Sequence, residues 1–167
     1  GNFKAVFPLK VNQMPHFVLP LVEQSADKCY GLEAGSKPEL ILAMAYANKN
    51  TPITVNGFKD REMISLGFIA ANMKHDITIT IEGLNELETI IDVAKEMGEP
   101  YPKIGLRIRL HSSGIGVWAK SGGIYSKFGL TSTELLEALN MLERHDLLDR
   151  FTMIHFHIGS QISDIAP

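Results

Sequence analysis

The sequence predicts an α/β fold built on parallel strands. Three observations point that way. Six short runs rich in Val, Ile, Phe and Thr are bounded by turn residues and are too short for helices. Segments with helical spacing lie between them. The first five runs start about every 24 residues, and a strand, a helix and a strand at that beat mean parallel strands joined by right-handed crossovers.

The first run, AVFPLKVN (5–12), carries Pro8, which removes a ladder hydrogen bond from what should be a central strand. HFVLPLVEQSA follows with helical spacing, interrupted by Pro20. CYGLEA (29–34) is the second run. Ser36-Lys-Pro-Glu39 then reads as a capping box with proline in the first turn, opening the helix LILAMAYA. PITVNG (52–57) is the third run, and DREMISLGFIAANM after it is helical, with Gly67 as its weak point. DITITIE (76–82) leads into NELETIIDVAKEMG, which Gly98 stops. IGLRIRL (104–110) is followed by an insertion, HSSGIGVWAKSGGIYSKFGL (111–130). Thr131-x-x-Glu134 caps the helix LLEALNMLERH, and FTMIHFHI (151–158) ends the series.

Two architectures accommodate this beat, an open doubly wound sheet and a (β/α)8 barrel. No Gly-rich dinucleotide fingerprint follows the first strand, which counts against a nucleotide-binding Rossmann form. A complete barrel needs eight units and about 250 residues. Six βα units in 167 residues therefore predict an incomplete (β/α)8 TIM barrel, with residues 1–167 as one partial domain. The chain opens almost directly in a strand pattern and ends just past another, so both ends are expected to be cuts from something longer.

With 45% hydrophobic residues, 21% charged residues and a net charge of -3, the chain is ordinary globular material with no electrostatic reason to bind nucleic acid or an anionic membrane. No apolar run approaches the roughly 20 residues of a membrane span, and no signal peptide opens the chain. The one cysteine, Cys29, excludes an internal disulfide and suits a reducing compartment, hence a cytoplasmic location. It is expected to be a small buried hydrophobe rather than a reactive thiol.

Every strand delivers a polar group toward its carboxyl end, where parallel α/β proteins place their active sites. Lys10 stands near the end of the first, Glu33 of the second, and Asn56, above Thr54, of the third. Glu82 ends the fourth above Thr78 and Thr80, Arg107 and Arg109 share a face of the fifth, and His155 and His157 share one of the sixth. Strand ends are polar anyway where they meet solvent; six in a row favour a site. Lys10, set among Val6, Phe7, Leu9 and Val11, fits a buried amine of lowered pKa that can form a Schiff base. It fits a snorkelling lysine equally well. The Gly- and Ser-rich insertion with Trp118 suits a lid or a flexible excursion. The His-x-His pair has no third ligand at metal-site spacing, so no metal site is expected.

Taken in order, FPLKVNQ, GLEAGSKPEL, VNGFKD, SGGIYSKFGL and HFHIGSQIS resemble the biosynthetic arginine decarboxylases, members of the alanine-racemase-like barrel enzymes that use pyridoxal 5'-phosphate. HIGSQI alone fits diaminopimelate decarboxylases as well; GLEAGSK, NGFKD and SGG-x-x-SKFGL favour the arginine enzymes. The resemblance implies that Lys10 holds the cofactor through its amine and that His157 stacks on the pyridine ring. It places Ser160 near the phosphate, Glu33 close to the Schiff-base lysine and Arg107 near the ring. His155 is given no role, and Asn56, Lys59, Lys127 and Phe128 match motif positions without one. The chemistry implied is loss of carbon dioxide from arginine to give agmatine, a step in polyamine and spermidine synthesis. A magnesium requirement and a homo-oligomeric full-length protein are implied by the family alone.

Relative to that family the last two barrel strands are missing, with the carboxylate that pairs with the pyridine nitrogen and a glycine-rich phosphate loop. The C-terminal β domain with its cysteine acid is missing too, and Cys29 is in the wrong place to replace it. The alternatives are a decarboxylase of diaminopimelate or another basic amino acid, and a non-catalytic pyridoxal-phosphate-binding regulator on the same half-barrel.

Overall fold

In the computed structural model, which describes residues 4–24, 30–110 and 128–158, six strands form one sheet. They are β1 (Val6–Pro8), β2 (Gly31–Ala34), β3 (Ile53–Val55), β4 (Ile77–Ile81), β5 (Lys103–Arg107) and β6 (Phe151–His155). Five helices lie between them: α1 (Pro15–Glu23), α2 (Lys37–Tyr46), α3 (Arg61–Asn72), α4 (Leu84–Met97) and α5 (Ser132–Arg144). All neighbouring strands are parallel and their spatial order is their chain order. A doubly wound sheet reverses its order at a switch point; this one never does, which decides for the barrel type of winding. Right-handed crossovers that always step the same way put every helix on one face. Among the described residues the sheet is open, with β1 and β6 as its edges.

The two faces follow from strand parity. A side chain added at Gly67 of α3 would meet Ile79 Cδ1 at 2.6 Å, so the Ile79 side of β4 faces the helices. Leu32, Ala34, Ile53, Val55, Ile77, Ile81, Ile104 and Leu106 share that side and are buried. Met63, Ile64 and Phe68 of α3 and Leu87, Ile90 and Ile91 of α4 close the core from the helix side. Glu33, Thr54 and Thr78 are register partners across the opposite, concave face. Between β5 and β6 the register slips: Ile104 pairs with Phe151 but Gly105 with Met153, leaving Thr152 as the extra residue of a bulge.

Local signals explain most element ends. Thr131 and Glu134 make the expected reciprocal box at the start of α5. At α2 only half the box forms. Ser36 Oγ accepts from Glu39 N–H, but the Glu39 carboxylate accepts from Gly35 N–H, 2.7 Å away. Gly98 stops α4 with φ +70°, and α1 runs through Pro20. β1 is shorter than the sequence suggests, and Pro8 is why it is tolerated. Leu9 N–H donates to the Glu33 carbonyl at 2.9 Å, so the strand's alternate position, Pro8, turns its missing donor away from β2 toward the open edge.

Candidate active site at the carboxyl ends of the strands

The concave face gathers polar side chains at the carboxyl ends, as parity requires. Glu82, just past β4, accepts from Arg107 of β5, with Oε1 to Nη1 2.6 Å. Their side chains are 10% and 17% exposed, so the pair is only partly screened. The Arg107 guanidinium carbon lies 5.5 Å from the centre of the Phe128 ring, a cation–π contact that fixes its other side. Arg107 is also the register partner of His155 on β6. Burial first, then the positive charge of Arg107, push the His155 imidazole below its ordinary value; Glu82 pulls the other way. His155 is thus neutral near pH 7.

Four buried side-chain atoms lack a hydrogen-bond partner among the described residues: Asn56 Oδ1, Thr80 Oγ1, Arg109 Nε and His155 Nδ1. All four belong to concave-face positions at or just beyond the ends of β3, β4, β5 and β6. Buried polar groups are nearly always paired, so these four atoms leave bonding capacity that ordered water or a polar ligand can fill. Arg109 keeps one bond, Nη2 to the Gly129 carbonyl at 3.2 Å.

The expected site residues fall into three groups. Arg107, Glu33, His155 and Asn56 stand half-buried on the concave face. Lys10 and His157 lie past the carboxyl ends of β1 and β6, and both are exposed. Of the two readings that spacing left open for Lys10, its exposure fits the snorkelling lysine rather than the buried amine. Leu9 takes the core position, the chain turns at Leu9–Val11, and among the described residues β1 is an edge strand with nothing opposite it to cover the lysine. Ser160 lies outside the described residues, as do Cys29, Trp118 and Lys127.

Sequence reasoning left Lys59 without a role and did not single out Glu86. Lys59 follows the turn at Gly57, and its side chain has no exposed surface; that of Glu86, in the first turn of α4, is 7% exposed. Lys59 Nζ donates to the Gly57 carbonyl and lies 3.2 Å from Glu86 Oε1. Removing one partner of such a buried pair costs about 3–5 kcal/mol. A Glu three residues after the helix-opening Gly83 was the available signal: a capping pattern with glycine in place of Ser or Thr.

The family model described as "Pyridoxal-dependent decarboxylase, pyridoxal binding domain" matches residues 1–167. The chain belongs to this family. It is 45% identical over 165 residues to the biosynthetic arginine decarboxylase of Rhodopirellula baltica, covering 99% of this chain and 25% of that protein. The crystal structure of the biosynthetic arginine decarboxylase SpeA from Campylobacter jejuni superposes with a TM-score of 0.84 at 64% identity, covering 95% of this chain and 25% of that one. Diaminopimelate decarboxylase from M. jannaschii in complex with L-lysine gives a TM-score of 0.75 at 26% identity, covering 98% of this chain and 36% of that one. The chain thus spans about a quarter of the length of the arginine decarboxylases it matches.

The pyridoxal-binding family sets a test for the concave face, and the residues present fit the group. Pyridoxal phosphate is a small, flat, polar and anionic molecule. The face offers it two arginines, a neutral imidazole and the unpartnered atoms of Asn56 and Thr80. Lys10 supplies an amine at the rim of the same end of the sheet.

Proposed function

We propose that this chain is part of the cofactor-binding barrel domain of an enzyme that decarboxylates L-arginine to agmatine and carbon dioxide. One observation carries the choice of substrate: 64% identity to the Campylobacter jejuni arginine decarboxylase against 26% to the diaminopimelate decarboxylase. Pyridoxal phosphate, when bound, supplies the electron sink that accepts the pair left at the α-carbon as carbon dioxide departs.

The chain's residues do the holding. Lys10 contributes the amine for covalent attachment, and His157 contributes a flat imidazole against the ring. Arg107, fixed between Glu82 and Phe128, keeps a cation in one place without freedom to swing. Glu33 places a carboxylate on the same face as the lysine end of β1. His155, being neutral, adds a hydrogen-bonding nitrogen rather than a third positive charge. Ser160 is assigned to the phosphate. Homo-oligomeric assembly, magnesium dependence and a cytoplasmic location belong to this reading as family expectations. Among the described residues no group of three or more His, Cys, Asp or Glu side chains is placed to hold a metal. No helix there is long and apolar enough to cross a membrane.

The test uses the full-length protein that carries this chain. Carbon dioxide release and product identity are measured with L-arginine and with diaminopimelate, and borohydride-reduced protein is peptide-mapped. Agmatine from arginine and a phosphopyridoxyl label on Lys10 are expected. Turnover of diaminopimelate instead would change the substrate. Cofactor binding with no turnover of either would mark a non-catalytic relative, and a label on another lysine would remove Lys10 from its role.

A further inference from the structure

We infer that Glu86 is a positioning residue for the cofactor site, acting through Glu82 and Arg107. The inference rests on the functional reading above and adds a residue that lies beneath the site. Glu86 uses both carboxylate oxygens, and each ties down a different strand end. Oε2 accepts from the backbone N–H of Glu82 at 2.8 Å. Oε1 accepts from Lys59 N–H at 3.3 Å and lies 3.2 Å from Lys59 Nζ. One buried side chain therefore fixes the segment that leaves β4 and the turn that leaves β3.

What leaves β4 is the residue that holds Arg107. Glu82 is anchored by its backbone on Glu86, and its carboxylate grips the guanidinium at 2.6 Å. An ordinary capping glutamate at the third position of a helix reaches back to the N–H of its own cap residue and stays near solvent. Glu86 reaches one residue farther, past Gly83 to Glu82, and is buried against a lysine from another loop. Its oxygens are thus committed to the geometry of the rim. Burial raises the Glu86 pKa, and the nearby Lys59 ammonium opposes that rise without cancelling it.

If Glu86 acts through this route, its loss and the loss of Arg107 must not add. The experiment measures pyridoxal phosphate dissociation constants for full-length apo-protein by absorbance titration, with melting temperature recorded alongside. Glu86→Gln is expected to weaken binding about ten-fold in the wild-type background and by less than about two-fold in an Arg107→Met background. Glu86→Asp, which keeps the charge, is expected to fall between wild type and Glu86→Gln. Should Glu86→Gln fail to fold, Glu86→Asp is compared in the two backgrounds in the same way.

A fully structural role predicts something else: a lowered melting temperature, with binding unchanged or reduced by the same factor in both backgrounds. Either result overturns the inference. Wild-type protein that binds no pyridoxal phosphate would overturn the functional reading itself, and the inference with it.

Discussion

The imidazole of His155 lies half-buried beside Arg107, and its protonation is opposed from several sides. Burial and Arg107 lower its pKa, with His157 and Lys59 adding to them, while Glu82 alone raises it. A histidine whose folded pKa lies below the unfolded value of 6.5 contributes stability that is fully present above that value. That contribution is lost as pH falls through the folded pKa, because the unfolded chain binds the proton more readily. The full-length protein is therefore expected to lose melting temperature on acidification from about pH 8 to about pH 5, and His155→Asn to lose less over that range. Identical slopes for the two would show that His155 does not titrate against the fold. Lys10 makes the opposite point about residues. Its type and its place after β1 were legible; its burial was not, because burial depends on what stands across from it.

At the scale of elements, legibility tracks range. The strand cores were readable because Ile, Val and Thr alternate locally, and helix starts because a cap and its partner are three residues apart. The β5–β6 bulge was not readable, since it depends on a slip between two strands. Neither was the Glu82–Arg107 pair or the Lys59–Glu86 pair, whose members stand 25 and 27 residues apart and meet only when neighbouring βα units pack. Gly31 shows how close that packing is. A Cβ at this position would meet the Pro52 carbonyl oxygen at 2.7 Å and Pro52 Cγ at 2.9 Å. The obstacle includes backbone of the residue leading into β3, which cannot rotate away as a side-chain tip could. Gly31→Ala is expected to force β2 and β3 apart and to destabilise by about 1–3 kcal/mol. Chemical denaturation measures it, and an unchanged midpoint would mean that β3 shifts freely at its start.

The sheet as a whole has a concave face that gathers the polar groups and two edges that bear on how the isolated chain behaves. On β2 to β5 the helix-facing positions are buried, whereas Ile154 on β6 and, just past its end, Phe156 and Ile158 are 56%, 50% and 59% exposed. Ile154 keeps the register of that side: it pairs with Leu106, which is fully buried. The difference is therefore cover, not pattern, since no described helix lies over β6. At the other edge, among the described residues, β1 pairs on one side alone and is blunted at Pro8. An apolar edge strand joined to an open parallel edge invites pairing between molecules. It also leaves Lys10 and His157 just past opposite edge strands, exposed rather than in a water-excluded site. The purified 167-residue chain is therefore expected to self-associate with rising concentration in size-exclusion chromatography and to make no agmatine from arginine. Ile154→Lys with Phe156→Lys should shift it toward monomer without restoring turnover, because those side chains cover nothing in the site. A monomer at all concentrations would show that the edges are harmless. Turnover by the isolated chain would show that the six strands alone can exclude water well enough for the chemistry.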